Sequence, residues 1–167
     1  RLGSPFFASR RIVLIGNYTY SKSSIDVGPD DTTVSVGSGG VPSPASDFFV
    51  DGAPLTGQSE HLVNLQLGLE DEETLSQQTL LLTYASRRVT NRGPSGQPDL
   101  YEEPGLRIDF VARQGLQIFG SEAEVKFEAR NLTGENYEEY QTLNDSRIEI
   151  NTYELGRTFS LGFSLTF

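Results

Sequence analysis

Apolar and polar residues alternate with period two in six separate stretches of this chain, and no useful window carries a sustained 3.6-residue period. Successive side chains of a strand point to opposite faces, so such a pattern builds a sheet with one apolar and one polar face. The chain therefore reads as all-β, an antiparallel up-and-down meander of six long strands. The stretches are residues 11–24, 61–70, 77–90, 106–113, 122–131 and 155–167. The separation is cleanest in the second, with Val63, Leu65, Leu67 and Leu69 on one face, and in the last, with Phe159, Leu161, Phe163, Leu165 and Phe167. Leu81 and Arg157 break the alternation. Connections alternate as well. Long Gly-, Ser-, Pro- and Asp-rich segments at 25–60, 91–105 and 133–154 lie on one side, and shorter turns at 71–76 and 114–121 on the other.

Strand length separates a soluble sandwich from a membrane barrel. Soluble strands run about five or six residues. About twelve residues at ~3.3 Å each, tilted ~45°, rise nearly 28 Å, close to the ~25 Å apolar band of a transmembrane barrel. Short turns on one side, long loops on the other, Tyr18 and Tyr20 toward the long-loop end and a charged second face all agree with a barrel. The competing reading is a soluble acidic all-β binding or adhesion module, whose apolar face would need a covering layer. The longest aliphatic run, Ile12 to Ile15, is far too short for a membrane-spanning helix.

Thirteen Lys and Arg against 23 Asp and Glu give a formal charge of −10, which speaks against a nucleic-acid partner. With no Cys there is no disulfide, thiolate metal site or catalytic thiol. His61, the single histidine, is expected at the membrane interface rather than on a metal, and the run Glu70, Asp71, Glu72 and Glu73 as a solvated turn cap. Gly37 to Gly40 lacks the Lys and helix of a phosphate cradle. Ser, His and Asp occur without grouping, so no catalytic residue, metal or cofactor is assigned and an enzyme is not expected.

Charge on the polar face suggests a register. If partners in stretches four and five sum to 235, Arg107 faces Glu128, Asp109 faces Lys126 and Arg113 faces Glu122, every pair opposite in sign. The intervening turn would then hold about eight residues around Leu116 to Phe119. The last stretch should pair with 122–131 on one side and with a strand outside this chain on the other, since hydrocarbon tolerates no open edge and six strands are too few to close.

Two phrases carry a resemblance. Glu128-Ala-Arg-Asn-Leu-Thr-Gly-Glu-Asn-Tyr137, followed by a loop and a closing stretch ending on Phe167, and Phe6-Phe-Ala-Ser-Arg-Arg-Ile-Val-Leu-Ile-Gly-Asn-Tyr-Thr-Tyr20 are similar to the late barrel strands of TonB-dependent outer-membrane receptors. The chain resembles the C-terminal segment of such a receptor. That resemblance implies a plugged barrel of 22 strands in the bacterial outer membrane, in contact with lipid. Extracellular loops would capture a scarce small-molecule or peptide ligand such as an iron chelate, cobalamin or sugar. A TonB protein would act through a plug. No plug or TonB-contacting box is found here, so the plug and remaining strands are expected as partners outside this sequence. Phe48, Phe49, Arg92, Tyr101 and Tyr140 are the loop residues expected to bind solute, since aromatic rings and Arg supply much binding energy. Arg107, Asp109, Arg113, Glu122, Lys126 and Glu128 are expected as a lumen-wall charge network, and Phe167 resembles the terminal aromatic read by the insertion machinery.

Overall fold

A computed structural model describes residues 8–93 and 97–166. In chain order the strands are β1 (Arg10–Tyr20), β2 (Thr32–Thr33), β3 (Ser43–Pro44), β4 (His61–Asp71), β5 (Ser76–Ala85), β6 (Arg88–Asn91), β7 (Leu100–Glu102), β8 (Gly105–Ile118), β9 (Ser121–Arg130), β10 (Tyr137–Leu143), β11 (Ser146–Tyr153) and β12 (Thr158–Thr166). The described residues form no α-helix, only a short 3-10 turn at Ala45–Asp47. The fold is all-β and antiparallel.

Six strands form the main sheet in the order β1-β4-β5-β8-β9-β12. Its register carries one apolar row from edge to edge. Leu14 faces Leu67, Leu67 faces Leu80 and Leu80 faces Phe110. Phe110 then faces Ala129, and Ala129 faces Phe159. The neighbouring row runs Gly16, Leu65, Leu82 and Ile108, and Phe127 faces Leu161 farther along. Among the described residues nothing covers this face. Leu14 is 67% exposed, Leu161 76% and Phe163 62%, and no large side chain among the described residues is fully buried. The opposite face carries Arg11, Glu70, Gln77, Arg113 and Lys126 in register. The sheet is open, with β1 and β12 at its edges.

Both ends of this sheet differ as the connections do. The β4–β5 and β8–β9 turns are tight, whereas all three long connections leave the end that holds Tyr20 and His61. There the His61 ring stacks on Tyr18, with centroids 6.1 Å apart, and leans on Tyr20 at 5.3 Å. The Tyr18 hydroxyl lies 2.9 Å from His61 Nδ1. A second sheet, ordered β11-β10-β7-β6, is built from the long connections themselves.

Several expectations require correction. The β8–β9 partners sum to 239, from Phe110 with Ala129 to Ile118 with Ser121, not to 235. The turn holds only Phe119 and Gly120, both at positive φ (52° and 84°), the left-handed pair that a tight type I′ hairpin requires. Turn geometry sets the register, overriding one like-charge pair across the strands. Arg107 pairs with Asp109 at 3.1 Å along its own strand, and Glu128 pairs with Lys126 and with Arg130 along β9. Same-strand pairs two residues apart survive any register. Consequently Arg113 sits opposite Lys126, and Glu122 opposite Gln117.

The stretch 77–90 is two strands. Ser86 leaves the main sheet, its N–H donating to His61 O at 2.9 Å, and β6 joins the second sheet. β8 runs five residues beyond 113, to Ile118. Within 133–154 lies the hairpin β10–β11, turned by Asn144 and Asp145 at φ 49° and 59°. Arg157 precedes β12 and does not break its apolar face; its Nε donates to Leu132 O at 3.0 Å. Asp71 is buried, not solvated: it accepts from Glu73 and Thr74 backbone N–H and from Ser9 Oγ, with Arg10 Nε at 3.3 Å. Phe6, Phe7 and Phe167 lie outside the described residues.

Candidate functional site

The long connections converge on a hollow of about 490 Å³ lined by Phe48, Phe49, Arg87, Arg92, Asp99, Tyr101 and Thr142, among others. Phe48 and Phe49 enter it from the first connection because the 3-10 turn Ala45–Asp47 immediately precedes them, their N–H groups donating to Ala45 O at 3.0 and 2.9 Å. That connection is held by the second sheet, where Gly57 N–H donates to Val89 O at 2.7 Å beside a buried Val89. Gln141 Nε2 reaches across from β10 to Pro98 O at 3.0 Å.

Asp99 organises the segment between β6 and β7. One carboxylate oxygen accepts from Arg92 Nη1 at 2.5 Å and the other from Gly93 N–H at 3.0 Å. The backbone passes so close to itself that a Cβ on Gly93 would lie 2.2 Å from Gln97 O, so only glycine fits there. The Arg92 side chain is 14% exposed, and its Nε and Nη2 are buried with no hydrogen-bond partner. A buried donor left unmade costs about 1–3 kcal/mol, and more when it is charged. Beside it, the Arg87 guanidinium sits 4.7 Å from the Tyr101 ring centroid. The two residues also line a second hollow of about 290 Å³ between Lys22, Pro54 and Val89, so the pair forms a wall between neighbouring depressions.

Of the five residues expected to bind solute, Phe48, Phe49, Arg92 and Tyr101 come together in the larger hollow. Tyr140 does not. Only 5% exposed, it packs against Tyr101 with centroids 6.1 Å apart, lies under the Arg147 guanidinium at 3.9 Å and donates its hydroxyl to Glu103 at 3.2 Å. Tyr140 is an anchor of the second sheet. Arg147 also bridges Glu138 and Glu149 at 2.5 and 2.6 Å, which holds Glu149 below the ordinary carboxylate value of 4.5. Glu135, near the start of β8, is pushed up by burial and by the charges of Glu138 and Glu103. Sequence reasoning passed over Arg87, Asp99 and Thr142. Arg87 falls inside the single strand that the alternation predicts for 77–90, and Asp99 falls in a stretch of loop composition.

Among the described residues no group of three or more His, Asp or Glu is placed to hold a metal ion. Compared with protein-family models, curated proteins and solved structures, the chain matches none.

Proposed function

We propose that this chain is a segment of a bacterial outer-membrane β-barrel receptor whose long loops capture a small external solute, in keeping with its resemblance to TonB-dependent receptors. The observation that carries the reading is the uncovered apolar face, continuous across six strands and backed by a charged face. In water such a face would cost far more than a scattering of exposed residues does, because single exposed apolar groups are ordinary whereas large contiguous patches mark interfaces or membranes. Length agrees. Eleven residues, the extent of β1 and β4, rise about 26 Å at ~3.3 Å each and ~45° tilt, against an apolar band of about 25 Å. The stacked Tyr18, His61 and Tyr20 rings at the long-loop end suit an interfacial girdle. In this reading the free edges of β1 and β12 pair with strands outside this chain, and the charged face lines the lumen around a plug. Energy coupling to TonB passes through that plug.

Adjacent residues of β12 give the test. Leu161 lies on the apolar face and Ser160 on the other, both exposed. In a membrane, Leu161→Arg costs about 2–4 kcal/mol of folding stability near the midplane, whereas a lumen-facing substitution costs little. Folding titrations of L161R and S160R in lipid vesicles should therefore differ by that amount. Equal, small effects, together with a monomeric and cooperatively melting chain in plain buffer, would replace the barrel with a soluble acidic module.

A further inference from the structure

Resting on the reading of the long-loop end as a solute-capturing mouth, we infer that the Phe48–Arg92–Tyr101 hollow is a carboxylate site. It takes a small solute that carries a carboxylate beside a flat apolar group. The argument begins with the unmade bonds of Arg92. Asp99 takes only Nη1. The two donors without partners, Nε and Nη2, form one edge of the guanidinium, where their N–H bonds run parallel. That side-on fork matches the two oxygens of a carboxylate, and a lysine could not reproduce it.

Its surroundings select the rest of the ligand. Phe48, Phe49 and Tyr101 supply aromatic rings around the same hollow, and Arg87 already stacks on Tyr101. A flat apolar group can be received between rings at small entropic loss, and about 490 Å³ is within the size range of small-molecule sites. Two cations line the hollow, and Arg87 is engaged with the Tyr101 ring, which leaves Arg92 as the one with unmade hydrogen bonds. Asp99 is occupied by Arg92 and Gly93, and Asp47 lies on the exposed rim, where water screens its charge. The fork is shielded from water, so the ligand must displace what lies against it. The recovered hydrogen bonds are what make that displacement favourable. Binding should accordingly depend on the fork's geometry and not merely on positive charge.

The probes are 4-fluorobenzoate, its uncharged isostere 4-fluorobenzamide and inorganic phosphate, titrated by fluorine and phosphorus NMR into the intact protein in lipid nanodiscs. Fluorobenzoate should bind at least tenfold more tightly than fluorobenzamide and phosphate. Arg92→Lys, which keeps the charge and an ion pair to Asp99, should lose at least tenfold for fluorobenzoate and leave fluorobenzamide unchanged. Phe49→Leu should weaken both ring-bearing probes alike. Equal affinity for benzoate and benzamide, preference for phosphate, or an R92K variant that binds benzoate normally would each overturn the carboxylate site. Amide circular dichroism of each variant guards against misfolding, and Phe49→Leu remains an independent readout where R92K fails to fold. Protease protection of the same nanodisc samples separates the two levels. Protected strands without selective binding reject the site alone, while selective binding by a chain that does not enter lipid rejects the membrane reading and keeps the site.

Discussion

Replacing Asn131 should unfasten the last strand of the main sheet, and the size of the effect follows from its contacts. Asn131 closes β9 at φ 55° and is 4% exposed. Its Nδ2 donates to Glu135 O at 2.9 Å and to Gly156 O at 2.8 Å, while Oδ1 accepts from Glu135 N–H at 2.9 Å and, weakly, from Thr133 Oγ1 at 3.4 Å. Its own N–H donates to Asp109 Oδ1 at 2.7 Å. One side chain thus ties the end of β9 to the approach of β12. Three good bonds at about 1 kcal/mol each, with another ~1 kcal/mol for forcing alanine into the left-handed region, predict about 4 kcal/mol for Asn131→Ala. Asn131→Gly removes the bonds but not the conformational fit, so it should cost about 1 kcal/mol less in the folded state, part of which returns as unfolded-chain entropy. Denaturant titration in detergent or lipid, followed by tyrosine fluorescence, measures both. A loss under about 1 kcal/mol for N131A, or G and A variants that rank in reverse, would refute the account of Asn131 as the knot between β9 and β12.

Two further outcomes follow from the loop sheet and the hairpin. Arg147 holds Glu149 below its ordinary 4.5, so this contact stabilises β10–β11 above that value and is lost as pH falls below it; amide protection factors in β11 should drop between pH 6 and 3.5 while those of β4–β5 hold, and Glu149→Gln should abolish the change. Phe119 is fully exposed at φ 52° in a turn that suits Asn-Gly, so Phe119→Asn should raise stability by about 1 kcal/mol in the same denaturant titration; a loss would refute the account of the turn as set by backbone conformation alone.

The main sheet was legible because a two-residue period is a local property. Each of the six stretches announces its own faces, and the order of neighbours follows from short connections. Ends and registers depend on what lies beyond the stretch. Nothing in Ala85-Ser86-Arg87 marks where the chain passes from one sheet to the other; that is decided by Ser86, which bonds with the His61 backbone. Charge is uninformative about the β8–β9 register because Arg107, Asp109, Lys126 and Glu128 find partners within their own strands. The deciding signal, a residue followed by Gly120 at the tip, was in the sequence and is a matter of turn chemistry. Likewise Ile148 and Ile150 alternate with Arg147 and Glu149 next to an Asn-Asp turn, a hairpin hidden only by its position in a long connection.

The candidate site divides along the same line. That aromatic and Arg side chains of separate connections meet at one mouth could be expected once all three connections left the same end of the sheet, and Phe48, Phe49, Arg92 and Tyr101 do meet. Tyr140 has the same chemistry and the wrong surroundings, since it is buried against Arg147 and Tyr101. Residue type therefore locates a mouth but does not separate anchors from contacts. What separates them is satisfaction. Tyr140 has its hydroxyl and ring both engaged, whereas Arg92 has one donor engaged through Asp99 and two buried donors idle. That imbalance depends on Gly93 letting the backbone fold back on Gln97, which brings Asp99 to a single nitrogen of the guanidinium. No periodicity or composition encodes such a deficit. It arises where three connections and one close backbone approach meet, and it makes Arg92 the residue of this mouth with bonds left to give.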